Sequence, residues 1–184
     1  MREMIMLAGM KKFAVAALIS AVALSGCSSS AATTTKGTQS PTEASSAPES
    51  SVAQWAGLVA ERKLELDDWY EQWDKAVCSS AASMEIDCNI QLTIASMVAE
   101  TNQLVISGPS NPSANTYLGE PPSEIAALYD DTLEVAEAAQ AAGKAWVDAG
   151  CETEDAGECI GLAFEFEYAL DSVRTKFAAW SPYL

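Results

Sequence analysis

The sequence predicts an all-α fold, an up-down-up-down four-helix bundle stapled by two disulfides and preceded by a signal peptide and a disordered tether. Three observations predict it. Four stretches after residue 50 repeat apolar residues at spacings of three and four, the period of a helix with one buried face. The first and second stretches, and the third and fourth, are joined by short connections, which favours antiparallel neighbours. Four of the five cysteines fall at the ends of those two connections.

The chain begins with a different kind of segment. Lys11 and Lys12 precede an apolar run from Phe13 to Leu24, and Ser25-Gly26 then place two small residues before Cys27. Twelve apolar residues are too few to cross a bilayer, which needs about 20. Leu24-Ser25-Gly26-Cys27 resembles the lipobox of bacterial lipoprotein signal peptides, a likeness confined to roughly the first 30 residues. The resemblance implies cleavage before Cys27, removal of residues 1–26 and lipidation of Cys27. Diacylation of the thiol and acylation of the new amine would anchor the chain in the bilayer. The expected location is the extracytoplasmic face of the cell membrane or outer membrane.

Residues 27–50 read as the lipidated cysteine and a tether. From residue 28 onward this stretch has no aromatic and no large aliphatic side chain, so it cannot bury enough surface to offset its chain entropy. A coil of that length spans roughly 25 Å. Residues 51–184 form the helical domain.

In the first helix, 51–78, Trp55, Val59, Leu66, Trp69, Trp73 and Val77 share a face, and Ser51 with Gln54 fits a capping box. The second, 87–107, offers Ile90, Ile94, Met97, Thr101 and Leu104 as its buried stripe and ends at Gly108-Pro109. Residues 108–122 are turn chemistry throughout and make the longest loop of the domain. Ser123 is placed to cap the third helix, whose stripe is Ile125, Leu128, Thr132, Val135, Ala139, Ala142 and Trp146. Its Ala-rich middle predicts close helix approach, and Gly150 ends it. The fourth, 157–180, presents Ile160, Ala163, Phe166, Leu170, Val173, Phe177 and Trp180. The alternation in Phe164-Glu-Phe-Glu-Tyr168 also fits a short strand, but the three-four pattern continues for two more turns and favours helix.

Cys78, Cys88, Cys151 and Cys159 are an even set in a domain expected to be exported, so two disulfides are expected. The local pairs would staple one hairpin each, worth roughly 2.5–3 kcal/mol apiece in the chain-entropy model. A cross-hairpin pairing stays open, because an up-down bundle puts all four at one end. Their spacing and the lack of any histidine argue against a zinc site. Without histidine the Ser-His-Asp, Cys-His and Glu-x-x-His chemistries are also unavailable, and no nucleophile, phosphate-loop or cofactor motif is present. No metal or other cofactor is expected, and the domain reads as a binding protein, not an enzyme.

The chain carries a net charge of −16. Without residues 1–26 it keeps 7 basic and 25 acidic side chains, a net charge of −18. That argues against nucleic acid or an anionic membrane surface as a partner and leaves basic partners, cations or plain solubility. Glu152, Glu154, Asp155 and Glu158 lie between two cysteines at the bundle tip and are the expected contacts for an envelope protein with a basic surface. Tyr70 falls off the first buried stripe and is the expected exposed aromatic contact. Small tethered helical lipoproteins that exclude superinfecting phage have this general build, an architectural analogy without a shared motif. The alternative is a small-ligand or lipid carrier with a cavity lined by Trp55, Trp69, Trp73, Phe166 and Trp180.

Overall fold

The computed structural model describes residues 50–153 and 157–184. The lipobox, Cys27 and nearly all of the tether lie outside the described residues, as do Glu154 and Asp155. The described chain is an all-helical bundle of α1 (Val52–Lys75), α2 (Ile86–Ser107), α3 (Ala126–Asp148) and α4 (Cys159–Ala179). Short 3-10 turns occur at Ser80–Ala82, Gly108–Ser110 and Ser181–Tyr183. Each helix packs on the two beside it, α1 on α2 and α4, and α3 on α2 and α4. This ring order is the expected up-down-up-down arrangement.

The start of α1 is fixed by the capping box. The Ser51 hydroxyl accepts from the Gln54 backbone N–H at 3.4 Å, and the Gln54 side chain accepts from the Ser51 N–H at 2.7 Å. The start of α3 differs from expectation. Ser123 makes no cap; Ile125 occupies that position, after a turn in which its N–H donates to the Pro122 carbonyl at 2.9 Å. Two consecutive prolines set that turn and use up the residues ahead of the helix. The segment 164–168 is helical, with Phe166 buried and Phe164 and Tyr168 outside.

Both disulfides are local. Cys78 pairs with Cys88 and Cys151 with Cys159, at Cα separations of 5.3 and 5.5 Å. The two hairpins repeat one another in detail. In the first, Trp73 is followed by Val77-Cys78; in the second, Trp146 by Gly150-Cys151. Each helix ends in the same motif. The Cys78 N–H donates to the Trp73 carbonyl at 3.1 Å and the Cys151 N–H to that of Trp146 at 3.3 Å. The residue before each cysteine is left-handed, with φ of 55° at Val77 and 75° at Gly150. This is the Schellman cap, which satisfies carbonyls left over at a helix end.

The second helix of each hairpin is phased from its cysteine. Cys159, Ala163, Phe166, Leu170, Val173 and Phe177 are buried on α4, the last five as their sequence pattern predicts. At the same spacings on α2, Cys88, Leu92, Ala95, Ala99, Asn102 and Ile106 are buried. The stripe expected for α2 is therefore corrected. Ile90, Ile94, Met97 and Leu104 face outward. Val77 and Ile160 are likewise exposed rather than buried.

The core is built on indoles, with Trp55, Trp146 and Trp180 fully enclosed beside Trp69 and Trp73. Such volume on three helices leaves space only for small residues elsewhere. Ala136, Ala139 and Gly143 form the inner face of α3 and Ala95 and Ala99 that of α2. A Cβ on Gly143 would lie 2.9 Å from the Phe166 ring and 3.4 Å from the Ser96 Cα. This is the close helix approach expected of the Ala-rich segment.

Candidate partner-binding site

The two ends of the bundle differ in chemistry. At the end where Ser50 enters, several polar groups are matched internally, although the buried Asn102 amide has no hydrogen-bond partner among the described residues. The Trp55 indole donates to the Ser50 hydroxyl at 2.8 Å, and the Trp180 indole donates to the Thr132 hydroxyl at 2.9 Å. The Tyr129 hydroxyl donates to the Ile106 carbonyl and meets the Ser110 hydroxyl, both at 2.8 Å. The long loop is thereby held against α3, with Leu118 packed on the core. Burial raises the Tyr129 pKa, and the Ser110 hydrogen bond opposes the shift only in part.

The opposite end carries both disulfides and a group of open carboxylates. Glu85 precedes α2 and Asp87 lies in its first turn; Glu158 precedes α4; Glu152 lies in the connection after α3. All four are exposed, and among the described residues none makes an ion pair. Three of them stand at helix N-termini, where negative charge is favoured by the helix dipole. Asn89 and Ser80 consolidate this end. The Asn89 amide donates to the Cys151 carbonyl at 2.7 Å, and the Ser80 N–H donates to the Glu167 carboxylate at 2.9 Å.

Basic side chains offer little to an anionic partner. Among the described residues Arg62 pairs with Glu65, Lys63 and Arg174 with Asp67, Lys75 with Glu71, Lys144 with Asp148 and Lys176 with Asp131. That accounts for every lysine and arginine described. The hydrogen bond and charge of Lys75 hold the Glu71 pKa below its ordinary value. Most carboxylates are left unpaired, so the surface potential is negative and available.

Tyr70 is not the exposed contact expected from its position. It is buried between α1 and α4, edge-on to Trp69 at 4.8 Å and covered by the Arg174 guanidinium 4.4 Å from its ring centre. Its hydroxyl is enclosed without a hydrogen-bond partner. Burial, with the charges of Asp171, Glu167 and Asp74, pushes its pKa well above the usual phenol value against the opposing pull of Arg174.

The aromatic interior is filled ring against ring. Trp69 stacks on Trp73 at 5.3 Å, and Trp55 meets Tyr129 edge-on at 4.7 Å. Two surface grooves flank α2, one on each side, the first reaching the Trp69 ring. The first, of about 460 Å³, lies toward α1 and is bordered by Glu65, Asp68 and Gln72. The second, of about 450 Å³, lies toward α3 and includes Glu100, Gln140, Asp148 and Glu152. Between them run the outward residues of α2 that sequence reasoning assigned to the core. The signal that locates them is the phase set by Cys88.

Among the described residues no helix is long and apolar enough to cross a membrane, and no cluster of three His, Cys, Asp or Glu is arranged to hold a metal ion. The described cysteines are consumed in disulfides. No protein-family model, no curated protein and no solved structure matches the chain.

Proposed function

We propose that the protein is a lipid-anchored binding module of the cell envelope. Acylated Cys27 holds it to the bilayer on the extracytoplasmic face, and its disulfide-bearing end engages a protein with a basic surface. The observation that carries this reading is the group of exposed, unpaired carboxylates at Glu85, Asp87, Glu152 and Glu158. That end is remote from Ser50, where the tether joins the bundle. A tether entering at Ser50 leaves that end open to a partner. Glu154 and Asp155 belong to the same connection and add to its charge.

A local need for those carboxylates is small, because a helix N-terminal charge contributes only about 0.3–1 kcal/mol. Their concentration is better matched to recruiting a cationic partner by long-range attraction. The tight aromatic packing supports a rigid binding module over a carrier. In a narrower form, the module blocks or assists another agent at the cell surface, as superinfection-exclusion lipoproteins do.

Two measurements test this. Cys27→Ser should abolish palmitate labelling and move the protein out of the membrane fraction. Affinity capture from cross-linked envelopes should recover a partner at low salt that is lost at high salt and after charge reversal at Glu152, Glu154, Asp155 and Glu158. Retention of that partner by the charge-reversed protein would reject the electrostatic tip. For the narrower form, unchanged plating of a phage panel on expressing cells counts against it.

A further inference from the structure

The outward face of α2 is an apolar ridge. Ile86, Ile90, Ile94, Met97 and Leu104 are 76%, 50%, 38%, 56% and 59% exposed. They recur at helical spacing over about 27 Å of helix. Single exposed apolar residues are ordinary, but a continuous line of them on one helix marks a contact surface. No basic residue occurs on α2, and its only charged residues are Asp87 and Glu100.

Charge decides the occupant. Glu65 and Asp68 border the ridge toward α1, and Glu100, Asp148 and Glu152 border it toward α3. Lys144 lines the second groove and is paired there with Asp148, and Arg62 is paired with Glu65, so the net charge of the borders rests on Asp68, Glu100 and Glu152. A second copy would set these carboxylates against their own kind on a chain of net charge −16. An anionic lipid surface meets the same repulsion. An amphipathic helix with lysine or arginine on both sides of an apolar stripe meets neither.

We propose that the outward face of α2, flanked by its two acidic grooves, docks a partner helix whose apolar stripe is bordered by Lys and Arg. This rests on the reading of the protein as a protein-binding module and extends the tip, through Asp87 and Glu152, along the side of the bundle. Apolar anchors supply the affinity and the acidic borders the orientation.

The test uses the full chain in detergent and a synthetic helical peptide with Leu at three-four spacing and Lys along both borders. Two control peptides exchange Lys for Glu or scramble the Leu order at constant charge. Fluorescence anisotropy should show the Lys-bordered peptide binding at least ten-fold tighter than either control. The double variant Ile90→Asp with Met97→Asp, and separately Leu104→Asp, should each lose at least ten-fold while keeping helical circular dichroism. Reversal of Glu134 and Glu137 on α3 should change binding less than three-fold. Equal binding of the scrambled peptide, or full binding by both ridge variants, overturns the proposal. So does a dimer seen by sedimentation, or adsorption to phosphatidylglycerol vesicles, that the ridge variants abolish. Failure here leaves the anchored-module reading to be decided by Cys27→Ser fractionation and the envelope capture, which do not depend on the ridge.

Discussion

The side-chain amide of Asn89 donates to the backbone carbonyl of Cys151 across 2.7 Å, tying the residue beside one disulfide to a member of the other. The two stapled hairpins are thus joined at their tips by a polar contact between α2 and the end of α3. Replacing Asn89 by Ala leaves the Cys151 carbonyl without this donor and should cost about 1–2 kcal/mol. Urea denaturation of the oxidised protein checks it. A midpoint unchanged from that of the parent would show that the contact contributes nothing.

Val77 and Gly150 occupy the same left-handed cap position in the two hairpins, but only Gly150 suits it. A β-branched residue at φ of 55° carries strain of about 1–2 kcal/mol. Val77→Gly should therefore stabilise, by on the order of 1 kcal/mol after the entropy of the added glycine is subtracted. Gly150→Val should destabilise by a comparable amount. Thermal unfolding that moves both variants in the same direction would contradict the assignment.

Gly143 and Gly57 make a second contrasting pair. A methyl group at Gly143 enters the Phe166 ring and the α2 backbone, so Gly143→Ala should lose about 1–3 kcal/mol. Nothing lies within 4 Å of a Cβ at Gly57. Gly57→Ala should accordingly gain about 0.5–1 kcal/mol from helix propensity alone. Chemical denaturation midpoints for the two variants read out the difference.

Tyr70 should make the protein sensitive to alkali. Its folded-state pKa lies above the unfolded value of about 10, so the stability it confers is complete below that pH and is lost as pH rises through the folded value. Tyr70→Phe should flatten the fall in stability above pH 10. At pH 7 the same change removes a buried hydroxyl that has no partner and should be neutral or stabilising by about 1 kcal/mol. Denaturation curves at pH 7 and pH 10.5 separate the two effects. A clear loss of stability at pH 7 would mean the hydroxyl is satisfied after all.

The architecture was legible in the sequence because a three-four repeat runs through each helix, and on α1, α3 and α4 its anchors Trp55, Trp69, Trp73, Trp146, Phe166 and Phe177 are buried as that repeat predicts. On α2 the rule of choosing the bulkiest stripe fails. Ile90, Ile94, Met97 and Leu104 outweigh Ala95 and Ala99, yet the smaller set is inside. The core is already occupied by five indoles, and α2 must approach α3 closely at Gly143. Cys88 supplies the constraint that size does not. Its disulfide requires an inward position, and counting four and three residues from it recovers Leu92, Ala95, Ala99, Asn102 and Ile106. Tyr70 illustrates a different limit. One residue beyond Trp69, it stands about 100° from that ring around the helix, outside a narrow stripe. Contact with α4 widens the buried arc of α1 to include it, and that contact is not encoded in α1.

The local disulfides also bear on the order in which the chain matures. Cysteines only 10 and 8 residues apart need no element from the other half of the protein to find each other. The first hairpin is able to oxidise without any contribution from α3 or α4. The last cysteine pair then closes with neither Cys78 nor Cys88 left to compete. Closure in chain order thus removes the scrambled pairings that these four cysteines, gathered at one end, would otherwise permit.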